Sequence, residues 1–189
     1  MNNKLIRFFD ILISISVLLF LLPLILIISF LIYFDDGRPI IFKQLRVGFM
    51  GKKFKIFKFR TMKNKILKNE NRRLTKIGKI IRRFSLDEIP QFINVLKTEM
   101  CIVGPRPLPQ NIEKKIKNTI RNKRRFVLPG ITGMSQINYT GKHRKLNDKV
   151  KLDIQFIDNY SFYNYLKIII KTPLIIIIRI LRNKSSIIR

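Results

Sequence analysis

Apolar positions change their spacing several times along the chain. From Ile11 to Phe34 there is no charged residue and almost every position is apolar (ILISISVLLFLLPLILIISFLIYF). One helix over that stretch would be roughly 36 Å long, against a hydrocarbon core of about 30 Å, so the pattern predicts a membrane-embedded segment. A cleavable leader fits badly: Asp10 abuts the stretch, and no small-residue cleavage site follows it. Two arrangements remain open. Length alone favours a single spanning helix. Against it, Pro23 divides the stretch into halves of roughly 17 Å, each able to dip into one leaflet and return. Basic residues flank both ends, Lys4 and Arg7 before and Arg38, Lys43 and Arg46 after. A re-entrant hairpin kinked at Pro23 keeps both sets on the cytoplasmic side, as the positive-inside rule prefers.

Beyond this segment the spacing shortens. Ile40–Arg46 and Phe54–Arg60 read as two strands of a hairpin around Gly48 and Gly51. The apolar phase shifts between Phe54/Ile56 and Phe57/Phe59, which predicts a bulge. Lys63–Arg83 is basic with few apolar anchors and is expected to be solvated or to lie on anionic lipid. Asp87–Lys97 has helical spacing, with Ile89, Phe92, Ile93 and Leu96 on one face. Three prolines make Gly104–Pro109 an irregular loop. Asn111–Arg125 reads as a basic helix, Pro129–Gly133 as a turn, and His143–Tyr160 as a helix with Val150, Ile154 and Ile157 inward. The tail Tyr165–Leu181 is apolar but broken by Lys167, Lys171, Pro173 and Arg179, which suits an interfacial segment; Leu174–Ile178 could equally be a buried strand. The expected fold class is α+β, mostly helical and membrane-associated, with residues 1–36 embedded and residues 37–189 forming a small domain with a β-hairpin and interfacial helices.

The 189 residues suit one domain plus appendages, taking about 150 residues per domain. Lys and Arg number 39 against 11 Asp and Glu, for a net charge of +28, yet 47% of residues are hydrophobic, so the chain is no disordered basic tail. A single cysteine, Cys101, and a single histidine, His143, exclude an intramolecular disulfide framework and a Cys/His zinc site, and make a histidine-relay hydrolase a poor fit. Chemistry falls to carboxylates, hydroxyls, Lys and Arg.

Those groups converge at Arg82-Arg83-Phe84-Ser85-Leu86-Asp87-Glu88-Ile89-Pro90-Gln91. Pro90 is tolerated in a first helical turn, so it predicts a helix beginning near Asp87. Helix capping by Ser85 or Asp87 is one account, since Ser85 and Glu88 have capping-box spacing. Phosphoryl transfer at a membrane surface is the other. A helix N-terminus favours phosphate, paired carboxylates offer hard oxygen ligands to Mg²⁺, and arginines such as Arg82 and Arg106 of the GPRP loop grip phosphate with two bonds. A carboxylate can also attack phosphorus itself. Two rivals belong to other classes: a membrane-tethered nucleic-acid-binding protein, suggested by the interleaved KKFKIFKFR, and an inactive scaffold of an envelope-polysaccharide complex. The first gives Asp87 and Glu88 no role, and the second leaves their retention unexplained.

SLDEIPQFINVL, IVGPRPLP and PGITGMSQIN, with KIFKFRTM upstream, resemble in order and spacing the bacterial sugar transferases of the monotopic phosphoglycosyl transferase family. The resemblance covers nearly the whole chain. It implies transfer of a sugar phosphate from a UDP-sugar to polyprenyl (undecaprenyl) phosphate, with release of UMP and a requirement for Mg²⁺. The expected setting is the cytoplasmic face of the bacterial inner membrane, with lipid and no nucleic acid as partner. The family's nucleophile falls on Asp87, through a covalent phosphosugar intermediate, and its neighbour on Glu88; both are expected at the metal. The resemblance further places Arg82, Arg106, Lys58, Arg60 and Gln136 as phosphate- or nucleotide-binding positions. It also reads the chain as a minimal catalytic unit without further N-terminal transmembrane helices. Two departures stand out. The family's Ser-Pro at the hairpin bend is Leu22-Pro23 here. Its Trp-Ala-Gln and Asn-Gly-Arg are replaced by Met134-Ser135-Gln136 and Asn138-Tyr139-Thr140.

Overall fold

A computed structural model describes residues 4–63, 74–138 and 145–185. The apolar segment forms α1 (Lys4–Phe20) and α2 (Leu22–Asp36). They meet at a 61° bend. The break lies at Leu21, two residues before the expected kink at Pro23. Pro23 sits inside the first turn of α2, where its missing N–H has no intrahelical acceptor to lose. The Ser29 hydroxyl donates to the Ile25 carbonyl at 2.7 Å, within α2, so it does not repair the break. Among the described residues no single helix is long and apolar enough to cross a membrane, whereas the bent pair meets that test together. A straight single span is therefore not the form this stretch takes.

The hairpin is present as β1 (Ile41–Val47) and β2 (Lys53–Phe59). Its register runs unbroken from Ile41 opposite Phe59 to Val47 opposite Lys53, so the expected bulge is absent. The phase shift has another cause: β2 is covered on both faces. Phe54 and Ile56 join the main core with Val95, Met100 and Tyr165, while Phe59 joins Ile28, Ile32, Ile81 and Ile89 on the other side. Helix α3 (Lys76–Arg83) follows, capped by the Thr75 hydroxyl, which accepts from the Gly78 N–H at 2.8 Å. Ile81 is buried, so this part of the basic segment is packed rather than solvated. The preceding residues 64–73 lie outside those described.

The chain continues through a 3-10 turn (Leu86–Glu88), α4 (Gln91–Leu96), β3 (Cys101–Val103), α5 (Gln110–Glu113) and α6 (Asn118–Arg125). It ends with β4 (Gly130–Thr132), α7 (Met134–Ile137), α8 (Leu146–Asp158) and α9 (Phe162–Ser185). The expected turn at Pro129–Gly133 is instead a strand paired in parallel with β3. A Cβ on Gly130 would lie 2.0 Å from the Gly104 nitrogen, so only glycine lets these backbones meet. The single basic helix splits into α5 and α6 because Glu113 and Ile116 turn inward between them. Arg125 then donates to both Glu113 oxygens, at 2.9 and 2.8 Å, and ties the halves together. Val150 and Ile157 of α8 are buried as expected; His143 lies outside the described residues. The tail is one helix through Pro173, with Leu174, Ile177 and Ile178 exposed, which removes the buried-strand alternative.

A buried carboxylate joins the first helix to this body. Asp10 accepts from the Ile102 N–H of β3 at 3.0 Å and from the Tyr165 hydroxyl of α9 at 2.9 Å. One turn earlier Arg7 donates to the Val95 carbonyl at 2.7 Å. Tyr165→Phe removes one of these bonds and should cost about 1 kcal/mol of stability; Asp10→Ala strands two buried donors and should cost about 3 kcal/mol. Thermal unfolding of the purified variants in one detergent checks both size and order.

Candidate active site

Asp87 and Glu88 occupy the 3-10 turn, not the first turn of a longer helix, because α4 starts only at Gln91 behind Pro90. The short turn follows from Ser85, which takes a left-handed conformation (φ 58°) and reverses the chain just after α3. The Ser85 side chain makes no capping bond, so neither the capping box nor a helix dipole accounts for the two carboxylates. The buried side of α4 is Gln91, Asn94 and Val95, while Ile93 and Leu96 of the expected face are exposed.

Side-chain cations hold the pair. The Lys58 Nζ of β2 donates to Glu88 Oε1 at 2.5 Å and lies 4.0 Å from Asp87 Oδ2. Arg106 Nη2 donates to the same Glu88 oxygen at 2.7 Å. Burial alone pulls the Glu88 carboxyl upward, but Arg106 and Lys58 outweigh it and hold it at about 2. Asp87, only 8% exposed, shifts the other way. Its burial and the Glu88 charge raise it against the pull of Lys58, Arg82 and Arg106. Two adjacent carboxylates with affinities pushed apart suit separate roles. Glu88 is a fixed anion that gathers cations; Asp87 is the more basic carboxylate, with less of its charge satisfied.

Arg106 is presented by a tightly fastened loop. Prolines at 105, 107 and 109 lack N–H groups, so the loop is held through its carbonyls. Pro105 O accepts from Gly130 N at 3.0 Å, and Leu108 O accepts from Val47 N at 3.2 Å. Between them, Arg106 O accepts from Arg124 at 2.9 Å and Pro107 O from Arg46 at 3.2 Å. Arg124 is itself fixed by buried Asp153, at 3.1 Å. On the opposite side, fully buried Asn94 accepts from the Phe57 N–H and donates to the Lys55 carbonyl, setting the level of β2 and thus of Lys58.

The structure thus brings together Asp87, Glu88, Lys58, Arg82 and Arg106. Gln136 stands nearby, lining a cleft with Glu88 and Arg106. Arg60 is not brought in. It is buried and donates to the Asp36 and Gly37 carbonyls at 2.8 and 2.7 Å, with the Asp36 carboxylate at 3.3 Å, so it clasps the end of α2. Arg46, Asn94, Arg124 and Asp153 escape sequence reasoning because their partners lie far away in the chain.

For a divalent cation the donor set is thin. Among the described residues no three His, Cys, Asp or Glu side chains gather. Both cations bind Glu88 at Oε1, which leaves Oε2 and the Asp87 carboxylate. That fits Mg²⁺, which commonly takes one or two carboxylates and draws its other ligands from substrate phosphate and water.

The opposed shifts fix a pH dependence. Glu88 falls below its ordinary 4.5 to about 2, so its contribution to stability is full above pH 4.5 and is lost as pH drops toward 2. Asp87 is raised, so its contribution runs oppositely and is lost as pH rises through its folded value. Thermal unfolding between pH 2 and 5 should show a flatter acid-side decline in Glu88→Gln. In Lys58→Met the decline should be smaller and level off at higher pH than in the wild type, because loss of one cation raises the folded value of Glu88 toward its ordinary 4.5.

Comparisons with known proteins identify the family. The family model for bacterial sugar transferases matches residues 1–179. The chain is 40% identical over 178 residues to the uncharacterized sugar transferase EpsL of Bacillus subtilis, covering 88% of this chain and 84% of that one. It is 37% identical over 186 residues to the UDP-glucose:undecaprenyl-phosphate glucose-1-phosphate transferase of Escherichia coli, covering 90% of this chain and 40% of that protein. A third relative is the UDP-N-acetylgalactosamine-undecaprenyl-phosphate N-acetylgalactosaminephosphotransferase of Aeromonas hydrophila, 33% identical over 177 residues, 88% of this chain and 42% of that one. The chain thus spans about two fifths of the length of these last two relatives. With the match running from the bent apolar helices to the last helix, this chain belongs to the bacterial sugar transferase family of phosphoglycosyl transferases.

Proposed function

We propose that this chain transfers a sugar-1-phosphate from a UDP-sugar to polyprenyl phosphate, releasing UMP, as the first membrane step of a polysaccharide pathway. The observation that carries this reading is the buried Asp87 carboxylate, raised in basicity and set among Lys58, Arg82 and Arg106. The names of the relatives, which specify UDP-sugars and undecaprenyl phosphate, supply the substrate classes.

Two displacements at one phosphorus account for the transfer. An Asp87 oxygen attacks the phosphorus that bears the sugar, forming a carboxylate–phosphate bond. The bond from that phosphorus to the bridging oxygen breaks, and UMP leaves with that oxygen and the electron pair. An oxygen of the polyprenyl phosphate then attacks the same phosphorus, and the Asp87–phosphorus bond breaks to return the carboxylate. No net proton change is required when the acceptor phosphate enters as the dianion. Glu88, held at about 2, is a poor base at neutral pH. Its role is to position Lys58 and Arg106, whose donors meet charge on the transferred phosphoryl group. Asp87 and Glu88 Oε2 are the protein atoms available to hold Mg²⁺, which would supply further neutralisation of phosphate charge.

The bent α1–α2 pair is read as a re-entrant hairpin in the cytoplasmic leaflet of the bacterial inner membrane. Leu19, Phe20, Leu26 and Phe30 are exposed around the bend, a surface suited to lipid. Such placement sets the site at the boundary between a cytosolic nucleotide sugar and a lipid-borne phosphate.

Asp87→Asn should retain the unfolding temperature within a few degrees and lose UMP release by about three orders of magnitude or more, since an amide cannot form the covalent bond. Full activity in purified Asp87→Asn would remove the nucleophile assignment. Chelation by EDTA should stop turnover, and Mg²⁺ should restore it. For topology, single cysteines replacing Lys4 and Gly37 in a Cys101→Ser background should both resist an impermeant thiol reagent in intact cells. Labelling of one alone would indicate a span.

A further inference from the structure

Helix α4 carries two buried amides, and their bonding is unequal. Asn94 uses both ends of its amide. Its Oδ1 accepts from the Phe57 N–H at 3.0 Å, and its Nδ2 donates to the Lys55 carbonyl at 2.8 Å and to Glu99 at 2.7 Å. One turn earlier Gln91 is 2% exposed, and its Nε2 is buried without a hydrogen-bond partner. Such a donor carries its desolvation cost with nothing to offset it, and so works against the stability of the resting chain.

The local backbone sets what this donor faces. Around the carboxylates the bonds run three residues apart: Glu88 N to Ser85 O, Ile89 N to Leu86 O, Phe92 N to Ile89 O and Ile93 N to Pro90 O. At that spacing side chains i and i+3 eclipse, so Glu88 and Gln91 stand in one row, which Asn94 continues. Both ends of the row rest on β2, Glu88 through Lys58 and Asn94 through Lys55 and Phe57. Gln91 is thereby enclosed against the same strand, one 3-10 pitch of about 6 Å from Glu88. Two long side chains at that separation meet after a change of rotamer.

Glu88 needs no further donor in the resting chain, because Lys58 and Arg106 both donate to its Oε1, at 2.5 and 2.7 Å. The transfer reaction asks the same two cations to meet phosphate. Each bond turned toward phosphate leaves a largely buried carboxylate less well paired, and a buried charge that loses its partner is costly. That cost opposes the turn. A neutral donor arriving at Oε1 offsets it and leaves Oε2 to a divalent cation.

We propose that Gln91 is a positioning residue that takes over Glu88 Oε1 when Lys58 and Arg106 turn to the phosphates of the sugar donor. In the resting chain the cations hold Oε1 and the Gln91 amide is unpaired. With a diphosphate bound, Gln91 Nε2 donates to Oε1 and the cations are released to the ligand. Gln91 touches no reacting atom; it acts through Glu88. This inference rests on the transfer reaction proposed above.

Thermal unfolding and UDP binding of the full chain, in neutral detergent with Mg²⁺ present, test the exchange. Gln91→Met keeps the length of the side chain and removes the donor. It should unfold no lower than the wild type, and about 2 °C or more higher where the full desolvation cost is recovered. Its affinity for UDP should nevertheless fall about tenfold, as for loss of one hydrogen bond to a charged group. Its kcat/KM for UDP-glucose or UDP-N-acetylgalactosamine, with farnesyl phosphate as acceptor, should fall by a similar factor. Gln91→Glu, which keeps size and polarity without the amide donor, should not restore binding. Unchanged UDP affinity in Gln91→Met, or full binding by Gln91→Glu, overturns the proposal. So does a lower unfolding temperature in both Gln91→Met and the differently shaped Gln91→Leu, which would make Gln91 a packing residue. A wild type that neither binds UDP nor turns over any UDP-sugar removes the transfer reaction instead. Inorganic pyrophosphate then makes the same comparison: weaker stabilisation of Gln91→Met than of the wild type supports the exchange, and equal stabilisation overturns it.

Discussion

The shared Glu88 oxygen is the point on which the site depends. Lys58 comes from the hairpin, Arg106 from the proline loop and Glu88 from the turn before α4, and these segments touch the same atom. Three like-signed side chains, Lys58, Arg82 and Arg106, could not crowd round Asp87 without an internal anion to offset them. Glu88 supplies that charge and in doing so is held ionised. Its neighbour then sits beside a permanent negative charge in a poorly hydrated position, which is why Asp87 is the more basic of the two. One pairing thus sets the geometry of the cations and, together with burial, raises the basicity of Asp87.

Precision at Arg106 is obtained through backbone rather than side-chain packing. Four consecutive carbonyls, from Pro105 to Leu108, each accept a hydrogen bond from another segment. Proline serves here less as a stiffener than as a residue that withholds its own donor, so nothing within the loop competes for those carbonyls. The buried Arg124–Asp153 pair belongs to this fastening, because it aims a guanidinium at the Arg106 carbonyl. An isolated buried ion pair is weak evidence of stability. One whose remaining donor holds the Arg106 loop has a specific use.

Much of the site was legible in the sequence because it lies in contiguous words: Asp87-Glu88, the GPRP loop and the Lys58 strand. Spacing within such words reports the local backbone, and the hairpin followed from it. What escaped depends on partners that spacing cannot reveal. Asp10 pairs with Tyr165 across 155 positions, and Asn94 reaches back 39 positions to Lys55. The helix predicted from Asp87 begins later because Ser85 adopts a left-handed conformation, a choice that serine seldom makes and composition does not announce. The missing bulge teaches a related lesson. A strand covered on both faces loses the two-residue period that would mark one face as inside, so a phase shift there carries no register information. Arg60 shows the cost of carrying a role by motif alone: it lies next to the site in sequence yet is spent on the end of α2.

The attachment of α1 through Arg7 and Asp10 has a practical meaning for anyone handling this protein. Removing the apolar helices to obtain a water-soluble enzyme would expose more than a greasy surface. It would strip the Ile102 amide and the Tyr165 hydroxyl of their acceptor and uncover the wall formed by Ile6 in the main core. The bent apolar helices and the rest of the body are therefore one cooperative unit, so any handling of the exposed apolar surface must leave the chain intact rather than truncate it.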